Sequence, residues 1–334
     1  MMEHRPLGQT GVQVSAYCLG TAFLGSHVPV EESVRIVHRA LDLGINFVDT
    51  ANTYGDRRFV STAPGYPREY PLAEEVVGKA LGGRRREVVL ATKVCEPVGD
   101  GPNDRGLARR HVLQQIEASL RRLGTDHVDL YYAHHPDPKT PIEETLRAFD
   151  DLIHQGKVRY AAISNFAGWQ IVEALWTTDR LGLSRPVCLQ TNWNLLSRQA
   201  EAEQLPAVAR FGLGALAFAP LAGGVLAARY RPGESPPPGS RAEFWHDRSW
   251  NPARPSSTPA RSEENLRRAQ ALASWAAERG HTAAQVALAW LLGDPRLTAV
   301  ISGASSVAQL EQSVRCVELK LSQEEREEIA RLVA

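Results

Sequence analysis

The stretch that decides the fold is HVDLYYAHHPDPKTPIEETLRAFDDLIHQGKVRYAAIS, residues 127 to 164. It holds an apolar strand-like run, HVDLYYAH, then a helix-like segment from Thr140 to Gln155 that Gly156 ends, and then a second strand-like run, VRYAAIS. Parallel strands need a crossover between them, and a helix is its usual form. The stretch therefore predicts one β-α-β unit of a parallel sheet.

The same alternation runs along the whole chain. Counting Ala16 to Gly20 as the first strand, the sequence predicts eight strands; the other seven are INFVD, EVVLAT, HVDLYYAH, VRYAAIS, PVCLQ, LGALAFAP and TAVISG. Eight such units predict a single closed (β/α)8 TIM barrel, with an N-terminal β-hairpin around the Gln9–Gly11 turn. The alternative is an open doubly wound sheet, which is disfavoured because no G-x-G-x-x-G motif follows the first strand. We expect one domain spanning residues 1–334.

Composition limits the partners and the compartment. The chain has 334 residues with 38 basic and 38 acidic side chains, so long-range attraction to nucleic acid is not expected. No apolar run is long enough for a membrane, and the N-terminus MMEHRPLGQTG lacks the apolar core of a secretory signal. We expect a cytoplasmic protein with reduced thiols, because its four cysteines are scattered and form no C-x-x-C pair. The sequence leaves the oligomeric state open.

Two segments interrupt the alternation. Residues 229–262, after the seventh strand, form a long loop rich in Pro, Gly, Ser and Arg. A loop of that length in a compact domain indicates function, and we interpret it as a lid or cofactor clasp; the alternative is a disordered surface insertion. Its aromatic residues Phe244, Trp245 and Trp250 favour a loop that packs against another surface rather than one that is fully solvated. The second insertion, residues 56–71, is expected to shape the substrate pocket.

Polar residues gather where the predicted strands end, and that end of a barrel carries its chemistry. The second strand ends in Asp49 and is followed by Tyr54, the third ends in Lys93, and the fourth ends in His134. Each residue alone has a structural explanation, such as a strand cap or a hydrogen-bonded core histidine. Because all four residues are predicted to lie at the same end of the barrel, a single site that they form together is favoured. Other strand ends also carry small or polar groups: Gly20–Thr21, Ser164–Asn165, Gln190–Asn192 and Gly303–Ser306.

These side chains suit proton transfer to a carbonyl group. A tyrosine with its ordinary pKa of ~10 is a poor acid at neutral pH, and a nearby ammonium lowers that pKa. Lys93 can supply the ammonium for Tyr54, Asp49 can hold the lysine, and His134 can donate to the carbonyl oxygen. No side chain provides hydride, so the arrangement implies a nicotinamide or a flavin.

A metal site is the alternative interpretation of the same mouth. His134, His135 and Asp137 include residue types that bind zinc. Adjacent side chains on a strand point to opposite faces, so joint ligation by the two histidines is not expected.

Seven stretches, in this order, resemble the aldo-keto reductase family: NFVDTANTYG, VVLATK, DHVDLYYAHHPDP, GKVRYAAISNF, LQTNWNLLSR, FAPLAGGVL and ISGASSVAQLEQSV. The PLAGGVLAARY run resembles the branch of that family that includes potassium-channel β subunits and bacterial members. The resemblance implies a (β/α)8 barrel that binds NADP(H) and reduces a small-molecule carbonyl substrate. It also implies a catalytic tetrad of Asp49, Tyr54, Lys93 and His134, with Tyr54 as general acid for reduction.

The resemblance further implies the cofactor contacts. Ser164, Asn165 and Gln190 correspond to residues that hold the nicotinamide carboxamide, and Phe218 to a ring packed against the nicotinamide. The other implied cofactor residues are Gly20, Thr21, Asp49, Pro220, Leu221, Gly223, Arg229, Arg241, Gly303, Ser305, Gln309 and Gln312.

This chain departs from the family pattern at the end that binds the adenosine phosphate. Gly303 and Gln309 stand where many members carry Lys and Arg, and Ser313 stands in place of an asparagine near the adenine. In the channel-subunit branch, basic residues of the long loop take over, and Arg229 and Arg241 fit that role. We therefore expect NADPH rather than NADH.

The sequence thus predicts an NADPH-dependent oxidoreductase that reduces an aldehyde or ketone. Two alternatives stay open. One is a regulatory subunit that senses NADP(H) with little turnover, as the channel-subunit resemblance allows. The other is a keto-sugar reductase whose substrate contacts would include Arg57, Arg58 and Arg68.

Overall fold

A closed barrel of eight parallel strands forms the centre of the molecule. A computed structural model of the chain describes residues 1–56, 70–237, 240 and 262–334. The barrel strands follow chain order, and the last pairs with the first: β3 (Tyr17–Gly20), β4 (Phe47–Asp49), β5 (Val89–Val94), β6 (Val128–Ala133), β7 (Val158–Ser164), β8 (Cys188–Asn192), β9 (Gly214–Phe218) and β10 (Leu297–Ser302). The predicted (β/α)8 barrel is confirmed.

Helices follow the strands and cover the barrel. Those in the described ranges are α1 (Val30–Asp42), α2 (Ala73–Leu81), α3 (Arg109–Leu123), α4 (Ile142–His154), α5 (Gly168–Leu181), α6 (Gln204–Phe211), α7 (Glu263–Ala277), α8 (Ala283–Leu292), α9 (Val307–Val314) and α10 (Gln323–Leu332). Short 3-10 turns lie at Gly82–Glu87, Gln199–Glu201, Ala222–Gly224 and Arg315–Val317. Within the described ranges, no helix has the length and apolar character needed to cross a membrane.

The predicted N-terminal hairpin is present and covers the amino-terminal end of the barrel. Its strands are β1 (His4–Pro6) and β2 (Gln13–Ser15), which pair antiparallel. The Arg5 guanidinium donates to the carbonyl oxygens of Leu292 and Leu297, each at 2.8 Å, and so fastens the hairpin to the last barrel strand. In its turn, Gly8 has a φ of +58°, and a Cβ there would lie 2.6 Å from the Val187 carbonyl oxygen. Only glycine permits this close docking.

The interior of the barrel is packed with side chains. Along β6, Leu130 and Tyr132 pack with Leu7 of the hairpin in the inner cluster, whereas Tyr131 and Ala133 belong to the larger cluster under the helices. This alternation is the two-residue period of a strand. Because the hairpin and the inner side chains fill one end of the barrel, the site for chemistry lies at the other end, where the strands finish.

Several predicted boundaries shift in ways that matter for the site. β5 continues through Lys93 to Val94, whereas β6 ends at Ala133, one residue before His134. The helical region 263–292, in contrast, is divided at Gly280, which has a φ of +74°, as the sequence predicts.

Candidate active site

A buried ion pair joins the ends of two neighbouring strands. Lys93 of β5 donates from Nζ to Asp49 Oδ2 of β4 at 2.5 Å and to the Thr50 carbonyl oxygen at 2.8 Å. The lysine side chain is 0% exposed and the aspartate 2%. Burial lowers the pKa of Lys93, but the Asp49 carboxylate and the neighbouring Tyr54 outweigh it and leave that pKa raised. The lysine is therefore a fixed cation at neutral pH.

Tyr54 lies over this pair. Lys93 Nζ donates to the Tyr54 hydroxyl oxygen at 3.1 Å and sits 4.7 Å from the centre of its ring. Two backbone bonds hold the tyrosine in a turn: its N–H donates to the Ala51 carbonyl, and its own carbonyl accepts from the N–H of Ala73 at the start of α2. Gly55, with a φ of +86°, lets the chain reverse directly after the ring.

The pKa of Tyr54 differs from the prediction. The sequence led us to expect a pKa lowered by the lysine, and that expectation is wrong for the protein as it stands. Burial of the phenol raises its pKa, the Lys93 charge lowers it, Asp49 raises it, and the net result is a raised pKa. The tyrosine therefore keeps its proton at neutral pH, with an ammonium beside it that would stabilise the phenolate left after proton transfer.

Two histidines stand across from Tyr54. The His134 ring meets the Tyr54 ring edge to face, with centroids 6.0 Å apart. The His134 and His135 rings are stacked 4.8 Å apart at 18°. The prediction that these neighbours point to opposite faces is wrong, because β6 has already ended at Ala133 and its two-residue alternation no longer applies.

Glu96 is a site residue that the sequence analysis missed. It follows β5 and places Oε1 3.0 Å from His135 Nε2. Its position three residues after Lys93, beyond a strand end, was the available signal. Asp137, considered earlier as a ligand beside the histidines, is occupied elsewhere: its Oδ2 accepts from the Leu107 N–H at 2.8 Å and from the Thr140 hydroxyl at 2.7 Å.

Three polar residues at the ends of β7 and β8 form a network that reaches Asp49 and His134. Gln190 donates from Nε2 to Asp49 Oδ1 at 2.8 Å. Asn165 has a left-handed φ of +63°, and its Nδ2 donates to the His134 carbonyl oxygen at 2.9 Å and to the Ser164 hydroxyl at 3.0 Å. Amide groups offer both a donor and an acceptor, so this cluster fits a carboxamide such as that of nicotinamide.

Comparison with known proteins identifies the family. The model of the aldo/keto reductase family matches residues 16–334. The chain belongs to the aldo/keto reductase family. The resemblance drawn from seven sequence motifs is thereby confirmed.

Named relatives of this aldo/keto reductase differ in what their names state. This chain is 40% identical over 330 residues to the Bacillus subtilis (strain 168) protein named uncharacterized oxidoreductase YrpG. The match spans 97% of this chain and 93% of that protein. This chain is 36% identical over 323 residues to a probable voltage-gated potassium channel subunit beta of Arabidopsis thaliana, a match that spans 95% of this chain and 92% of that protein. It is 34% identical over 327 residues to the L-glyceraldehyde 3-phosphate reductase of Escherichia coli (strain K12), spanning 95% and 88%. Family and names together make the chain an oxidoreductase of the aldo/keto reductase family.

The first and last barrel strands of this aldo/keto reductase meet closely at the mouth. A Cβ on Gly303 would lie 3.0 Å from the Gly20 carbonyl oxygen, so a lysine at this position would require a shift of the backbone. Thr21 follows Gly20 and donates its hydroxyl to the Asp49 carbonyl oxygen at 2.9 Å. Gly20 and Gly303 are thus explained by the close approach of the two strands. At Gly303, which is exposed, the backbone at the barrel mouth is accessible.

The start of α9 is where the resemblance places the phosphate end of the cofactor. Ser306 caps this helix by accepting from the Gln309 N–H, and Gln309 Oε1 accepts from the N–H and hydroxyl of Ser305. The Val307 N–H donates to Glu32 Oε1 of α1 at 2.9 Å. Gln312 is exposed. Glu32 was not predicted, and its carboxylate holds one of the donors that a phosphate would use.

The turn after β9 carries the remaining predicted cofactor residues. Phe218 is half-buried at the end of the strand, Ala219 and Gly223 have positive φ values, and Arg229 is exposed. Pro220 is buried and Leu221 half-buried. Several predicted residues lie outside the described residues: Arg241, the aromatic residues Phe244, Trp245 and Trp250, and the arginines Arg57, Arg58 and Arg68.

Proposed function

We propose that this aldo/keto reductase is an NADPH-dependent enzyme that reduces an aldehyde or a ketone to an alcohol. One observation carries the proposal: the Tyr54 hydroxyl lies 3.1 Å from the Nζ of a buried lysine, and Asp49 holds that lysine at 2.5 Å. A protonated phenol beside a fixed cation is an acid whose conjugate base is stabilised in advance.

Each residue of the site has one task in the proposed reaction. A nicotinamide cofactor, when bound, supplies the hydride. Tyr54 gives its proton to the carbonyl oxygen, and the Lys93 ammonium stabilises the phenolate that remains. His134, edge to face with Tyr54 across the mouth, donates to the same oxygen and orients it. Asp49 keeps Lys93 charged and in place, and Gln190 holds the second carboxylate oxygen of Asp49.

The cofactor proposal rests on the family and on the polar groups at the mouth. Nicotinamide cofactors are general in this family, and Ser164, Asn165 and Gln190 offer a complement to the carboxamide. The preference for NADPH rests on Arg229 and Arg241 as partners for a 2′-phosphate. Glu32 opposes a phosphate at the start of α9, so this end would bind a phosphate only if the carboxylate moves away from the Val307 N–H.

The experiment that tests the proposal compares three proteins: wild type, Tyr54→Phe and Tyr160→Phe. Tyr160 is a half-buried tyrosine of β7 and serves as the matched control. NADPH and NADH absorbance would be followed with a panel of aldehydes, ketones and keto-sugars. We expect wild type and Tyr160→Phe to consume NADPH, and Tyr54→Phe to lose about 10²–10⁴-fold in kcat with an unchanged Kd for NADPH. A Tyr54→Phe variant within tenfold of wild type would refute the assignment.

A regulatory role is the second candidate, favoured by the relative named as a probable potassium-channel subunit beta. The same experiment separates the two. An enzyme turns over at least one carbonyl compound of the panel. A sensor binds NADPH tightly and reduces none of them, in wild type as in the variant.

A further inference from the structure

Glu96, His134 and His135 form a cluster at the mouth that the proposed reduction uses only in part. Their ligand atoms, one from each side chain, all lie within 4.8 Å of one another. We propose that these three residues bind a zinc ion, and that the bound ion switches the reductase off.

The geometry is close to that of a three-residue zinc site. His135 Nε2 and Glu96 Oε1 are already 3.0 Å apart, and the two imidazole rings are nearly parallel. Bonds of about 2.0–2.2 Å in a tetrahedral site place ligand atoms roughly 3.3–3.5 Å from each other. The cluster therefore needs to contract by up to roughly 1.5 Å across its widest pair. All three residues lie beyond the ends of β5 and β6, so side-chain rotation can supply that change without disturbing the barrel.

The donor set favours a transition-type ion such as zinc over magnesium or calcium. Two imidazole nitrogens and one carboxylate oxygen suit zinc, whereas magnesium and calcium prefer six or more oxygen ligands. Three protein ligands leave a fourth position for water, as in open zinc sites. The Glu96 and His135 side chains are 13% and 27% exposed, which gives an ion a path from solvent.

The local charge permits a cation at this position. Lys93 is the nearby fixed positive charge, but Asp49 neutralises it at 2.5 Å. Glu96 adds a negative charge close enough to the phenol that it raises the pKa of Tyr54. A divalent ion bound by the histidines is therefore attracted by the Glu96 carboxylate, and the charge of Lys93 that would repel it is balanced by Asp49.

Zinc at this cluster removes a group that the proposed reaction needs. The His134 ring centre lies 6.0 Å from that of Tyr54, so an ion held by His134 fixes this ring and takes up the space where the carbonyl oxygen is proposed to bind; reduction then stops until the ion leaves. This consequence rests on the proposed function, whereas zinc binding itself does not.

The first test measures binding without turnover. Full-length protein, freed of metal with a chelator and dialysed, would be titrated with zinc in a calorimeter, alongside His135→Asn, Glu96→Gln and the control His127→Asn. His127 matches His135 in exposure, at 26%, and in having one carboxylate partner, Asp126 at 2.6 Å. We expect one zinc per chain in wild type and control, and an affinity at least about tenfold weaker in the two site variants. Circular dichroism melts would confirm that all four proteins are folded.

The second test measures the rate of NADPH consumption with and without zinc. We expect wild type and His127→Asn to be inhibited with a half-point at the calorimetric Kd, and to recover after addition of a chelator. His135→Asn should need at least about tenfold more zinc for the same fractional inhibition.

The outcomes are distinguishable. Absence of zinc binding by wild type, or equal binding by all four proteins, overturns the site. Binding at the site without any change in rate overturns the inhibitory role. If zinc binds as expected but no protein reduces any carbonyl compound, the zinc site stands and the proposed reductase activity fails.

Discussion

Removing either partner of the Asp49–Lys93 pair is expected to cost much stability, because the other charge is then buried without its counter-ion. Lys93→Met leaves the Asp49 carboxylate, 2% exposed, with the Gln190 amide as its remaining side-chain donor in the described residues. Asp49→Asn leaves a fully buried ammonium beside a carbonyl and a phenol. Breaking a buried pair from one side costs about 3–5 kcal/mol, so each single variant should lose that much unfolding free energy.

The double variant Asp49→Asn/Lys93→Met decides whether the cost is that of an uncompensated charge. It leaves neither charge behind, so it should be at least about 2 kcal/mol more stable than the sum of the single losses predicts. Urea unfolding followed by circular dichroism, without added cofactor, gives the free energies by linear extrapolation. Single losses below about 1 kcal/mol, typical of an exposed pair, or strictly additive losses, would refute the reasoning.

Three further expectations follow from other parts of the molecule. Because the pKa of Tyr54 is raised, its proton is retained as pH rises, and the initial rate of reduction should show no fall attributable to Tyr54 below pH about 10; a descending limb near pH about 8 would contradict this. Gly78→Ala should lower Tm although alanine favours helices, since a Cβ at this position in α2 would lie 2.6 Å from the Arg122 carbonyl oxygen. Ser322→Ala should cost about 1 kcal/mol in urea unfolding, because it removes the side chain that caps α10 through the Glu325 N–H; an unchanged midpoint would show that this helix end is uncoupled from the fold.

The barrel could be predicted because its signals are local. Each β-α-β unit carries its own apolar run, helix pattern and terminating glycine, and eight repeats leave few alternatives. The ion pair of Asp49 and Lys93 could be predicted for the same reason: parallel neighbours bring their carboxyl ends to one edge, so residues far apart in the chain arrive side by side.

The remaining features depend on quantities that the pattern does not encode. The rings of His134 and His135 lie on the same side of the backbone because β6 ends at Ala133. A sequence pattern cannot predict this, since it places strand ends with an uncertainty of more than one residue. The raised pKa of Tyr54 reflects a balance between burial and a neighbouring charge, and burial is known only once the ring is packed. Trp193 is fully buried and donates from Nε1 to Glu201 Oε1 at 2.9 Å, a partner eight residues away that no motif indicates.

Closure of the barrel has a consequence for synthesis on the ribosome. Tyr17 of β3 pairs with Val300 of β10, so the first barrel strand waits for a partner that is made near the end of the chain. At about 5–20 residues per second, that wait lasts roughly 15–60 s. During it, the outer edge of β3 is open to other nascent chains, and so is that of β9 once this strand has been made, since each has its second neighbour in β10. Truncated products that end between Phe218 and Leu297 would keep both edges exposed, which makes them forms of this protein that depend strongly on chaperones.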